Sequence, residues 1–248
     1  MCSTSYRIYV IYEYPVVTLA EETECNIQVH LHETSFEVQS SIEEHGVRPI
    51  ERLDKLGVLS PDTQCVHMTE LNEADMEIIQ NTGSHVIHCP ESNMKLASGF
   101  CPVAELTRRN INVALGTDSA ASNDDLDLLG ELKSAALLGK VVAKDPTALD
   151  GHTALRMATI NGAKALGLEK SIGSLEINKQ ADLCAISISE LDAHPLYNPV
   201  SSLIYTNSGP RVSDVWVKGQ PIMSGHNLTT LDETELKACA EGWGAKIK

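Results

Sequence analysis

The chain has 248 residues, of which 42% are hydrophobic, enough for one large or two modest domains with a proper core and unlike a disordered or fibrous protein. Lys+Arg total 19 against 34 Asp+Glu, a formal charge of −15, and no basic run could follow a phosphate backbone, which argues against a nucleic-acid partner. The cysteines, at positions 2, 25, 65, 89, 101, 184 and 239, are odd in number and form no C-x-x-C pair, a pattern of reduced thiols in a cytoplasmic protein.

The first twenty residues are fairly apolar, but Arg7, Glu13 and Pro15 interrupt them and no basic n-region or cleavage site marks a signal peptide. No run reaches the ~18 apolar residues of a membrane helix, so no membrane is expected as a partner. The opening Tyr6, Tyr9, Tyr12 and Tyr14 match nothing downstream, which sets residues 1–24 apart as an atypical segment.

From Cys25 onward short apolar runs alternate with amphipathic helical stretches, as in βα units on a parallel sheet. Asn26 to Glu33 alternates with period two, and Ser41 to Leu56 reads as one helix closing at Gly57. Thr63 to Met68 is the next strand, and Asn72 caps a helix that Gly83 ends. Ser84 to Cys89 is a third strand, Asn93 to Gly99 a loop and Pro102 to Arg109 a helix. Ile111 to Leu115 is the fourth strand, releasing at Gly116-Thr117 so that Asp118 stands at its carboxyl end. Ser122-Asn123-Asp124-Asp125 can cap a helix from about Leu126 to Val141, and another helix runs from about Asp150 to Leu166. Composition then changes. Ile172 to Glu176 and Ala181 to Ser187 look like strands, Val212 to Met223 like a hairpin around Lys218-Gly219-Gln220, and Thr229 to Lys248 like a helix.

Metal-competent side chains stand at all four strand ends: His30, His32 and Glu33; His67; His88; and Asp118. A lone strand histidine is commonly a satisfied core residue, and a lone Asp before a helix commonly a cap. Four consecutive strands repeating the feature point instead to one shared mouth. Imidazole nitrogens with a carboxylate suit zinc or a similar divalent ion, and a neighbouring glutamate such as Glu33 could shuttle a proton.

Here the chain resembles the amidohydrolase superfamily, within it the zinc deaminases of methylthioadenosine and S-adenosylhomocysteine and their chlorohydrolase-like relatives. The matching segments are VHLHET (29–34), VHMTEL (66–71), HCPESNMKLASG (88–99), LGTDSAASNDDLD (115–127), LRMATINGAKALGL (155–168), IGSLEINKQADL (172–183) and VSDVWVKGQPI (212–222). Residue by residue, the resemblance implies that His30 is a zinc ligand from barrel strand five and Glu33 a proton shuttle touching the purine. It implies that His67 polarises the attacked site and the water, and that Asp118 is both zinc ligand and base, so that Glu33, His67 and Asp118 also bind substrate. His88, Ser92 and Asn93 are expected to shape the strand-seven loop. The implied metal is Zn2+, with iron the alternative.

The superfamily begins with an H-x-H pair on strand one, and His30-Leu31-His32 has that form. Between His30 and Asp118, however, there is room for three further strands, whereas eight βα units need on the order of 200 residues or more. His30 therefore belongs to a later strand, and residues ahead of Cys25 cannot hold four strands with their helices. The expectation is an α/β chain holding the second half, strands 5–8, of a TIM (β/α)8 barrel, plus part of a small β-sandwich domain. Residues 25–170 form the partial barrel, 171–228 the β-sandwich element and 229–248 a carboxyl-terminal helix. The expected activity is hydrolytic deamination of a purine nucleoside such as methylthioadenosine or S-adenosylhomocysteine, by a truncated cytoplasmic chain that forms homo-oligomers. The alternatives are a related triazine, guanine or other heterocycle hydrolase, and a catalytically inactive fragment or assembly partner. For the fold, the alternative is a flavodoxin-like open sheet.

Overall fold

The computed structural model describes residues 10–189 and 191–247. Tyr6, Tyr9 and Cys2 lie outside the described residues. Helix α1 (Val10–Thr23) leads into β1 (Ile27–Leu31), the first of four strands that pair in parallel and in sequential order with β2 (Thr63–His67), β3 (His85–His88) and β4 (Val113–Leu115). A doubly wound sheet reverses its order at a switch point, so the sequential order sets the flavodoxin-like alternative aside. The register pairs Leu31 with His67 and His88 with Leu115, so the strands end level with one another. Every residue of β2 and β4 is buried, as expected of a parallel sheet covered on both faces.

The connecting helices are shorter than the hydrophobic period suggests. In place of one helix from Ser41 to Leu56, α2 (Ser35–His45) and α3 (Pro49–Lys55) stand apart. Thr34 caps α2 by accepting from the Glu37 N–H at 3.2 Å; Gly46 ends it at φ +74°, and Pro49 opens α3, where its missing N–H costs nothing. The Arg48 guanidinium, just before α3, grips the buried Asp75 carboxylate of α4 (Glu73–Thr82) with Nη2–Oδ2 at 2.7 Å. The expected loop at 93–99 is partly helical, as α5 (Pro90–Lys95), followed by α6 (Val103–Arg108). After β4 come α7 (Ala120–Asn123) and α8 (Leu128–Ala143). Asp127 caps α8 by accepting from the Leu129 N–H at 2.9 Å, so the capping role given to Ser122-Asn123 is corrected. The helix expected from Asp150 to Leu166 is also two, α9 (Gly151–Met157) and α10 (Ile160–Ala165), parted at Thr159. Ile50, Ile79, Leu106 and Leu132 are fully buried in the core these helices share with the sheet.

A second sheet is antiparallel, ordered β5 (Leu183–Ile186), β6 (Val212–Val217), β7 (Gln220–Ser224) and β8 (Asn227–Leu228). Lys218 and Gly219 turn the β6–β7 hairpin at φ +51° and +75°, both positive as a type I′ turn demands. Between β5 and β6 lies α11 (Pro199–Tyr205), and the helix expected from Thr229 starts at Glu233, as α12 (Glu233–Ile247). The strand expected at Ile172 to Glu176 is a bend followed by irregular chain instead. Gly173 sits there at φ +87°, and a Cβ on it would fall 2.7 Å from the Ala163 Cβ and 2.9 Å from the Ile160 Cα, so close packing on α10 decides this segment.

Two glycine substitutions separate these effects. Gly46 has left-handed φ but nothing within 4 Å of a new Cβ, so Gly46→Ala should cost only the conformational ~1–2 kcal/mol. Gly173→Ala adds overpacking of about 1–3 kcal/mol and should lower the urea midpoint further. Equal losses would contradict the packing described at α10.

Candidate functional site

The level strand ends bring His30, His67 and Asp118 together, with their ligand-type atoms within 4.8 Å of one another. Three turns deliver the site, each at a non-glycine residue of positive φ: His32 (+53°) just after β1, His67 (+76°) ending β2 and Asp118 (+60°) after β4. Such a conformation costs on the order of 1–3 kcal/mol for each residue, and it persists where surrounding bonds over-determine it.

Asp118 shows how. Its Oδ2 accepts hydroxyl hydrogen bonds from Ser92 and from Ser122, each at 2.7 Å, and its Oδ1 stands 3.5 Å from the His30 Nε2. Burial is the largest single influence and pushes this carboxyl upward, but the Ser122 and Ser92 hydroxyls, the His67 charge and the Ser119 N–H together hold it below the usual carboxylate range. A tetrahedral ion about 2.1 Å from each donor separates its ligands by about 3.4 Å, so the His30–Asp118 spacing fits a divalent cation.

His67 is buried, and its Nδ1–H donates to the Asn93 Oδ1 at 2.8 Å, which leaves the Nε2 lone pair facing the rim. That nitrogen lies 3.9 Å from the Glu33 Oε2, and the His30 and His67 rings are 5.1 Å apart. Burial lowers the His67 pKa, opposed by the Glu33 charge. Glu33 is oriented from two sides. The Ser98 hydroxyl donates to its Oε1 at 3.2 Å, and its backbone N–H donates to the Glu37 Oε2 at 2.7 Å. Glu37 also accepts the His32 N–H at 2.9 Å, and burial raises its carboxyl pKa.

The remaining strand-end histidines stand outside this cluster. His32 is wholly buried; its Nε2 accepts the Ile50 N–H at 3.1 Å while its Nδ1 faces the Glu70 carbonyl at 2.9 Å, so it ties three segments together. His88 is buried with no hydrogen-bond partner on Nδ1, and burial pushes its pKa down to about 3. The sequence reading missed the acid behind the site. Glu131 is fully buried on α8, and burial pushes its pKa up to about 7. Helical spacing alone gives an acid in the first turn of a helix to the helix dipole, and nothing local marks it as inward-facing.

The chain matches the model of the amidohydrolase family over residues 14–222. It is 53% identical over 232 residues to a "5-methylthioadenosine/S-adenosylhomocysteine deaminase" from Teredinibacter turnerae, covering 94% of this chain and 52% of the relative. It superposes with TM-score 0.94 and 45% identity on a zinc-bound adenosine deaminase from Xanthomonas campestris, over 96% of this chain and 54% of that one. A zinc complex of an atrazine chlorohydrolase from Arthrobacter aurescens matches at TM-score 0.86 and 26% identity, over 93% of this chain and 51% of the other. The chain thus spans about half the length of the relatives it matches.

The buried His88 makes stability depend on pH. Its pKa falls from 6.5 in the unfolded chain to about 3 in the fold, so the unfolded state binds the extra proton between these values and stability drops as pH falls below 6.5. In His88→Leu the slope of unfolding free energy against pH between about 6 and 4 should shrink by about 1.4 kcal/mol per pH unit. Urea titrations across that range check it; an unchanged slope would mean that His88 is not held neutral.

Proposed function

The chain belongs to the amidohydrolase family, and on that premise we propose that it carries the metal-binding and proton-transfer residues of a zinc-dependent hydrolytic deaminase acting on a purine nucleoside such as methylthioadenosine or S-adenosylhomocysteine. The observation that carries the reading is the convergence of His30, His67 and Asp118 within 4.8 Å at the level ends of three parallel strands. β1 to β4 correspond in this reading to strands 5–8 of an eight-stranded barrel, within residues 25–170. The antiparallel strands of residues 171–228 form part of a β-sandwich, and the region 229–248 contributes α12 (Glu233–Ile247).

His30 and Asp118 would hold the metal at a spacing that suits one shared divalent ion, zinc in preference to iron because the similar solved structures hold zinc. When bound, zinc supplies a water whose pKa is lowered to about 7. Asp118 would, in this reading, be both a ligand of the ion and the carboxylate that accepts that water's proton. His67, with Nδ1–H committed to Asn93, polarises the attacked carbon's surroundings through Nε2. Glu33, held by Ser98 and facing His67, would protonate the ring nitrogen as the carbon–oxygen bond forms, and the proton received by Asp118 would pass to the amino group as the carbon–nitrogen bond breaks and ammonia leaves.

A second reading rests on the chlorohydrolase similarity: the same residues could hydrolyse a triazine or guanine substituent. A third takes the chain as an inactive partner in an assembly, because β1 and β4 each have only one neighbouring strand among the described residues. These readings part in one experiment on the full chain supplied with zinc. Ammonia release from methylthioadenosine or S-adenosylhomocysteine supports the deaminase; chloride release from a chlorinated triazine without it supports the second reading, and neither product the third. Asp118→Asn should lower turnover by about 10²–10⁴-fold or more, and retained activity would place the base elsewhere. Absence of bound zinc by elemental analysis after zinc loading would contradict the metal site.

A further inference from the structure

Glu131 lies in the first turn of α8, fully buried, and its two carboxylate oxygens serve two different segments. The Glu91 backbone N–H donates to Oε2 at 3.1 Å, and the Asn123 side-chain amide donates to Oε1 at 2.5 Å. The next residue after Glu91 is Ser92, and the residue before Asn123 is Ser122. Those are the two serines whose hydroxyls hold the Asp118 Oδ2. Both segments are further braced nearby: the Ser134 hydroxyl of α8 donates to the Glu91 Oε1 at 2.7 Å, and the Leu126 N–H donates to the Asn123 Oδ1 at 2.6 Å. One carboxylate therefore sets the spacing between the start of α5 and the end of α7.

We propose that Glu131 is a positioning residue for the cation site: by clamping α5 to α7 it keeps the Ser92 and Ser122 hydroxyls on the Asp118 Oδ2, which leaves Oδ1 turned toward His30 for a divalent cation. The chemistry explains why an acid is needed. Both groups facing Glu131 are N–H donors, and the ionised carboxylate, the form that prevails above its pKa of about 7, is acceptor-only on both oxygens. A glutamine of the same shape must turn its NH2 toward one of these donors, losing that bond and burying an unpaired donor. The assignment rests on the metal site proposed above, and Glu131 reaches that site only through Glu91–Ser92 and Asn123–Ser122.

The test is zinc affinity of the full chain, read by competition with a chromophoric chelator, alongside circular dichroism. Glu131→Gln should raise the zinc dissociation constant about 10–100-fold while the fold persists. The Ser92→Ala/Ser122→Ala pair should weaken zinc comparably, and adding Glu131→Gln to that pair should cost no more than about twofold again, because residues acting through one another are not additive. A purely structural role for Glu131 would instead multiply the two losses, and that result overturns the proposal. So does wild-type affinity in Glu131→Gln. Where Glu131→Gln does not fold, Asn123→Ala tests the same link from its other end; it removes the donor to Glu131 together with the acceptor for Leu126. It should show the same loss and the same coupling to the serines. A wild-type chain that takes no zinc overturns the metal site and this role together, whereas a zinc-binding wild type with an equally tight Glu131→Gln overturns the positioning role alone.

Discussion

The hydrogen bonds of Ser92 and Ser122 to one oxygen of Asp118 are the constraint on which the rim of this sheet depends. A carboxylate in left-handed backbone, at the end of a strand only three residues long, has little to hold it except what its oxygens accept. With Oδ2 saturated by two hydroxyls, the carboxyl cannot rotate, and Oδ1 is left beside His30. The hydroxyls also act with the His67 charge and the Ser119 N–H to lower the carboxyl's pKa against the pull of burial. The parallel register of β1 to β4 makes this matter, since it brings the β1 and β2 histidines to the height at which Asp118 emerges.

Four histidines stand at or next to strand ends, and their second nitrogens sort them into unlike roles. His67 gives its Nδ1–H to Asn93 and points Nε2 at the rim. His32 spends both nitrogens on backbone groups and becomes a strut between the β1 exit, Glu70 and the start of α3. His88 has an unpartnered Nδ1 and is kept neutral by burial. His30, the most exposed of the four, is the one placed against the carboxylate. Residue type and strand position are shared by all of them, so the partner of the far nitrogen is what separates a candidate ligand from a packing element.

This explains how much of the molecule was legible in the chain. The four parallel strands, the β6–β7 hairpin and the Gly57 and Gly83 helix ends follow from period-two runs and from glycines whose conformation few other residues share. The interrupted helices were less legible. Apolar spacing continues across Gly46 to Pro49 and across Thr159, and only the local backbone breaks it. The bent segment at Ile172 to Glu176 imitates a strand by composition, while contact with α10 settles it. At the site, His30, Glu33, His67 and Asp118 could be picked out as metal-competent strand ends, but their separate roles came from family resemblance. Glu131 was illegible because its meaning lies in Glu91 and Asn123, which are neighbours only once α5, α7 and α8 pack together.

The central claim is that His30 and Asp118 share one divalent cation. X-ray diffraction from zinc-soaked crystals, with data collected on both sides of the zinc absorption edge, tests it most directly. The account predicts an anomalous peak within about 2.0–2.2 Å of both the His30 Nε2 and the Asp118 Oδ1. A peak bound elsewhere, or His30 and Asp118 in direct contact with no metal between them, would contradict it.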